Sequence, residues 1–268
     1  MCAEDHGKLL DQLRGGIGIA AMANVTNGHF CGTYGKGTAM VQIGGYGTER
    51  YKDDPAALEE FLREEVKSAK RSGATVAVNF GGGDSPALLQ FAEAFARAGG
   101  DYLEFNAHTS TPHRLAMGLG YAHLKLEKQQ SLYRVTRRLA ESSSVPLLIK
   151  GRVWTPGESA TRIAPDFGQI ALELQRAGAI GLHLNIRNEA RREPDLEVVK
   201  EIRARSDTFL LASGYVGLTP AGKVDLDKAV ADVAAFLGAG VDLVMVGQAA
   251  LDSPEIISSL AARLAEKP

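Results

Sequence analysis
The chain has 268 residues, 45% of them hydrophobic, 23% charged and 6% aromatic, with a formal net charge of −2. That composition supports a large apolar core and excludes a disordered or collagen-like chain, and the charge balance gives no overall footprint for nucleic acid. With only Cys2 and Cys31, no basic-then-apolar leader in "MCAEDHGKLL" and no apolar run of bilayer length, a reducing cytoplasmic setting away from membranes is expected.

Eight short apolar runs alternate with helical patterns. In chain order they are Gly18–Met22, Ala39–Ile43, Thr75–Phe80, Tyr102–Asn106, Pro146–Lys150, Gly181–Leu184, Phe209–Ser213 and Leu243–Val246. Most are unbroken rather than alternating, as expected of strands covered on both faces of a parallel sheet. Asp54-Pro55 opens a helix over Pro55–Arg71, Ser85-Pro86 opens the next, and Gly99-Gly100 stops it. Helices over Asp166–Ala177, Asp195–Arg205 and Asp225–Leu237 follow, and Ser253-Pro254 opens the last. "RSGA", "RAGG", "RAGA" and "LGAG" each precede a strand, so one βα unit recurs. Eight such units predict an α/β chain folded as one (β/α)₈ barrel domain over 1–268, in preference to an open doubly wound sheet.

Active sites of such barrels lie at the C-terminal ends of the strands. The ends read Ala21-Met22-Ala23-Asn24, Asn79, Glu104 with Asn106, Lys150-Gly151-Arg152, His183 with Asn185 and Arg187, Ser213-Gly214, and Gly247-Gln248. Each alone is weak, since a lone strand-end His or Lys is usually a satisfied core residue. Six strands burying polar groups together need partners, and a polar planar ligand would supply them. Gly after the last two strands lets main-chain N–H groups approach a phosphate. The stretch "DYLEFNAHTSTPHRLAMGLG" adds a polar loop, Asn106–Gly120, read as a mobile lid. "FGGGDSP" lacks the Lys-Ser/Thr of a phosphate loop and reads as a turn capped by Asp84 or Ser85, and no metal site is evident. The clusters Arg187, Arg191, Arg192 and Arg134, Arg137, Arg138 read as solvated surface.

On six segments the chain resembles the tRNA-dihydrouridine synthases, FMN-dependent barrels distantly related to dihydroorotate dehydrogenases. "AAMANVTNGHF" is similar to their Ala-Pro-Met-Ala-Gly-Val-Thr-Asp opening, and "EFNAHTSTP" to their Asn-x-Gly-Cys-Pro loop. "PLLIKGR" matches Pro-Val-x-x-Lys-x-Arg, and "GLHLNIRN" resembles His-x-Arg. "LLASGYV" stands where they have Asn-Gly-Asp-Ile, and "DLVMVGQAALDSPEI" is similar to Val-Met-Ile-Gly-Arg-Gly-Ala. A shorter archaeal branch of such barrels is the nearer likeness. The resemblance implies FMN, with Met22 and Ala23 behind the flavin ring, Asn79 at a ring edge and Asn106 facing flavin or substrate. It places Lys150 and His183 by the N1–C2 carbonyl edge, and Ser213, Gly214, Gly247 and Gln248 at the phosphate.

Three departures follow. The family's proton-donating Cys is absent, with Thr109 or Thr111 in its place by spacing. His108 or His113 is the more competent acid–base group near neutral pH, so these four residues are the candidate proton handlers. The phosphate-site Arg is Gln248, and no room remains for the family's C-terminal helical tRNA-binding domain. The expected activity is hydride transfer at a C=C bond of a nucleoside or other small-molecule substrate, tRNA having no support from charge or length. Two other readings stand beside it: a non-flavin phosphate-binding lyase or isomerase using Lys150, and a binding protein that lost the chemistry with the Cys.

Overall fold
A computed structural model of the chain describes residues 10–266 apart from Asn24. Asn24, read above at the end of the first strand, and Cys2 lie outside the described residues.

Eight parallel strands close on one another. They are β1 (Gly16–Ile19), β2 (Met40–Gly47), β3 (Thr75–Gly81), β4 (Tyr102–Asn106), β5 (Leu147–Arg152), β6 (Gly181–Asn185), β7 (Phe209–Ser213) and β8 (Leu243–Val246). Each pairs with the next, and β8 pairs with β1 from Gly16↔Leu243 to Ile19↔Val246, so the sheet has no edge. The helices α1 (Gly28–Tyr34), α2 (Pro55–Ala69), α3 (Pro86–Arg97), α4 (Gln129–Ser142), α5 (Phe167–Arg176), α6 (Glu197–Arg203), α7 (Leu226–Ala239) and α8 (Ile256–Ala265) follow the strands in turn. The fold is the expected (β/α)₈ barrel. Several boundaries shift by a few residues from the sequence reading, and two of these shifts shape the mouth. The first strand ends at Ile19, leaving Ala20–Met22 free to line the mouth, and β2 runs on through an irregularity between Gly44 and Tyr46.

Capping sets the helix starts. Asp54, Asp166 and Asp225 each accept a bond from the N–H three residues on, satisfying a helix-end donor. Ser85 makes no such bond, and Asp84 instead pairs with Arg138, so the expected turn cap at α3 is not formed by either side chain. Among the described residues, no helix is long and apolar enough to cross a membrane.

Successive strand residues face opposite sides, and this period of two sorts the barrel interior. Low in the lumen lie Met40, Ala77, Tyr102, Leu148, Leu211, Leu243 and Met245, an apolar plug. One step toward the C-terminal ends, the same faces carry Gln42, Asn79, Glu104, Lys150, His183 and Ser213, all buried. The outer faces and the helices form the larger core, which includes Cys31.

One helix pair is joined through glycine. A Cβ on Gly28 would lie 2.2 Å from the Glu65 carbonyl oxygen, and one on Gly32 would lie 2.1 Å from that of Ser68. The backbones of α1 and α2 therefore touch where no side chain fits. Gly32→Val is expected to cost about 3 kcal/mol, at the upper end for overpacking. A lowered urea midpoint with an otherwise native circular dichroism spectrum checks this, and an unchanged midpoint would show that α1 can move away freely.

Candidate active site at the barrel mouth
The polar layer is organised around Glu104. Asn79 Nδ2 donates to its Oε1 (2.7 Å), Gln42 Nε2 donates to its Oε2, and His183 Nδ1 meets Oε2 at 2.7 Å. The Lys150 ammonium lies 3.6 Å from Oε1 and donates to the Ala21 carbonyl (3.3 Å). Asn106 Nδ2 continues the chain to Asn79 Oδ1 (2.9 Å), and His183 Nε2 meets Ser213 Oγ at 3.1 Å. Residues of six adjacent strands, β2 to β7, are thus joined in one set by hydrogen bonds and the Lys150–Glu104 ion pair. The structure brings Asn79, Asn106, Lys150, His183 and Ser213 together, with Glu104 and Gln42 as the members that reading strand ends did not single out.

Charge follows from the geometry. Burial works against ionised Glu104, but His183, Lys150 and the bonds from His183 and Asn79 outweigh it and hold the carboxyl at about 2. Burial pulls Lys150 and His183 down, and Glu104 pushes both back. The arrangement is a carboxylate–ammonium pair beside a neutral imidazole. An ionised carboxylate only accepts, so Nδ1 of His183 carries the proton and Nε2 accepts from the Ser213 hydroxyl.

Above this layer a cavity of about 80 Å³ opens between Ala20–Met22, His108, Lys150, Asn185, Arg187, Ser213–Val216 and Gly247–Gln248. It adjoins one of about 350 Å³, sharing Arg187, Tyr215, Leu218 and Gln248. Together they fall in the range of about 300–1,000 Å³ usual for small-molecule sites. At the β7–β8 end, the N–H groups of Tyr215, Val216, Gly247 and Gln248 have no acceptor among the described residues. Gly214 has φ +140°, and a Cβ there would come within 2.9 Å of Arg187 N, so only Gly lets these two loops meet. Arg187 stacks its guanidinium on Tyr215 at 4.6 Å, its Nε has no hydrogen-bond partner, and Tyr215 holds a strained φ of +59°. Open amides, a cation whose Nε lacks a hydrogen bond although it lies 3.6 Å from the Glu189 carboxylate, and a backbone strained into place fit a phosphate. Arg187, read from sequence both at the sixth strand end and in a solvated arginine cluster, lines this cavity beside Gln248.

The loop after β4 is more ordered than expected of a lid. It contains a short helix, Pro112–Ala116, and a one-turn helix, Gly120–Leu124. Asn106 Oδ1 accepts from the N–H groups of His108 (2.9 Å) and Thr109 (3.0 Å), and Arg114 ties the loop to the Gly81 carbonyl (3.2 Å). Of the four candidate proton handlers, His108 alone lines the cavity, where Asn185 Nδ2 lies 3.0 Å from its Nε2. Thr109 and Thr111 bond each other (3.0 Å), and His113 is exposed. Burial, with Lys150, Arg152 and His183 nearby, pushes His108 well below its ordinary range, so it is neutral at pH 7. The Asn185 amide donates, so Nε2 accepts and is the basic atom. Ala23 does not line the cavity, and Asn79 and His183 lie beneath it. Among the described residues, no group of three or more His, Cys, Asp or Glu is placed to hold a metal.

No family model matches the chain. An uncharacterized protein of Methanocaldococcus jannaschii is 27% identical over 160 residues, which cover 54% of this chain and 60% of the relative, less than two thirds of its length. Among solved structures, dihydrodipicolinate synthase from Aquifex aeolicus superimposes with a TM-score of 0.56 at 15% identity, over 94% of this chain and 75% of that one. An (S)-mandelate dehydrogenase matches with 0.55 at 12% identity, over 93% and 74%. The (S)-3-O-geranylgeranylglyceryl phosphate synthase from Thermoplasma acidophilum, solved with sn-glycerol-1-phosphate, matches with 0.53 at 12% identity, over 99% and 98%. At these identities the likeness is one of fold, and the fold is that of TIM-barrel enzymes.

Proposed function
We propose that the chain is an FMN-dependent oxidoreductase of dihydrouridine-synthase or dihydroorotate-dehydrogenase type, acting on the C–C bond of a pyrimidine-like small molecule. One observation carries this: a single cleft has the buried Lys150 ammonium at one end and open amides with Arg187 at the other. That polarity suits a flat, electron-accepting ring bearing a phosphate tail. FMN, when bound, would supply two-electron hydride chemistry at its N5. Lys150 would hold the ring's electron-rich edge, and Glu104 keeps that lysine in place and charged. The main chain of Ala20–Met22 would back the ring. The amides of Tyr215, Val216, Gly247 and Gln248 would hold the phosphate with Arg187. His108 is the assigned proton handler. A neutral imidazole takes a proton more readily than it gives one, which favours oxidation of a CH–CH substrate. A substrate reaching Nε2 displaces Asn185.

The test is a titration of purified protein with FMN, followed by visible absorption and fluorescence quenching. One FMN per chain is expected, with affinity reduced about tenfold or more in Arg187→Ala, since a charge-assisted phosphate contact is lost. Anaerobic photoreduction followed by re-oxidation with dihydropyrimidines, pyrimidines and tRNA identifies the substrate. Protein that stays colourless and takes up no FMN overturns the reading. Burial pulls Lys150 down, which also favours a second reading, a lyase with Lys150 as amine nucleophile. Borohydride trapping of a carbonyl substrate on Lys150 would select it.

A further inference from the structure
A separate cavity of about 420 Å³ lies outside the mouth, between the loops after β3 and β4 and the start of α4. His123 is one of its lining residues. The residue is 5% exposed, packs edge-on against Phe105, and neither ring nitrogen has a hydrogen-bond partner among the described residues. Leaving buried polar groups unpaired costs roughly 1–3 kcal/mol each, so such a side chain calls for a ligand. Burial and the nearby Lys128 hold His123 at about 4, so at pH 7 it presents one N–H and one lone pair.

The wall above it is the N-terminal turn of α4, which has no acidic residue and no side-chain cap. The Gln130 N–H has no acceptor among the described residues, and the Ser131 side chain also lines the space. Lys128 and Arg134 line it too, both exposed, and neither has an ion-pair partner among the described residues. Of the two acidic residues present, Asp84 is taken by Arg138 at 2.5 Å, leaving Glu127 to face the two cations. A helix N-terminus, two cations, a hydroxyl and an imidazole N–H form a donor-rich surface suited to a tetrahedral oxyanion. Met117, 56% exposed on the rim, gives an apolar seat for the organic part of an ester.

We propose that this cavity is a second ligand site that binds a phosphoryl group, held by His123, Ser131, Lys128, Arg134 and the first turn of α4. None of these residues lines the mouth, so the site stands whether or not FMN binds there.

The test follows the imidazole signals of His123 by NMR in isotope-labelled protein, assigned with His123→Gln, while inorganic phosphate is added at constant ionic strength against chloride. Saturable movement of the His123 signals with phosphate, absent with chloride, is expected. The double variant Lys128→Ala/Arg134→Ala, changed only at exposed positions, should raise the half-saturation point about tenfold or more and leave FMN uptake unchanged. Signals that do not move, or that move with the same midpoint in the double variant, overturn the proposal. Uridine monophosphate and a short single-stranded oligoribonucleotide then separate two sources of the group. Tighter binding of the mononucleotide points to a free phosphate ester, and tighter binding of the oligomer to a nucleic-acid backbone.

Discussion

Glu104→Gln is expected to lower stability by about 3–5 kcal/mol, the usual cost of removing one partner from a buried ion pair. Glu104 is fully buried and takes bonds from Gln42, Asn79 and His183 beside the Lys150 ammonium. A glutamine has one acceptor oxygen for these donors, turns an NH₂ toward others, and leaves Lys150 without a counter-charge. Lys150→Met added to Glu104→Gln removes the stranded charge and should recover much of the loss. Urea unfolding of the wild type, both single variants and the double variant measures the coupling, and additive losses would refute it. The pH dependence has a definite sign. The folded carboxyl sits at about 2 against an ordinary 4.5, so its contribution is fully present above 4.5 and is lost as pH falls toward 2. That contribution is about 3 kcal/mol, and Glu104→Gln should lack this part of the acid limb.

Lys150→Met is expected to slow substrate-linked re-oxidation of photoreduced, FMN-loaded protein by about 10²–10³-fold, the scale seen when a preorganised charge-stabilising donor is removed. Lys150 is the buried cation lining the inner cavity, whereas Arg187 lies toward the phosphate end. The two variants should therefore separate, Arg187→Ala acting on FMN affinity and Lys150→Met on rate at saturating FMN. Stopped-flow traces of both half-reactions make the comparison. Equal rates in Lys150→Met and wild type would reduce Lys150 to a structural partner of Glu104.

The barrel was legible because most strands are unbroken apolar runs and most long helices have their own start and stop signals; α4, whose first turn has no side-chain cap, was not read. The strand-end residues were legible because polar groups at such places are costly without partners. Glu104 was seen but not singled out, since within "YLEFN" it looks like an accident in an apolar run. Gln42 in "AMVQI" was missed for the same reason, although Met40 and Gln42 share one face, and that alternation could have found it. The helix inside the β4 loop had a signal as well: Thr111-Pro112 repeats the polar-then-Pro opening of α2 and α3. Arg187 was read both at the sixth strand end and in a solvated cluster, and sequence could not decide between them, because its packing depends on the close approach of Gly214 from a different strand end. His123 carries no periodic signal, and its unmet nitrogens exist only in three dimensions.

The chain of bonds around Glu104 also bears on how the molecule assembles. Gln42, Asn79 and Glu104 come from the first four strands, while Lys150, His183 and Ser213 come from the last four. Either half folded alone would hold a carboxylate or an ammonium in an apolar lumen with no counterpart, a state several kcal/mol uphill. The seam between β4 and β5 is therefore a checkpoint for cooperativity. Half-barrels are penalised as resting places, and the polar layer is completed only when the ring closes as a whole.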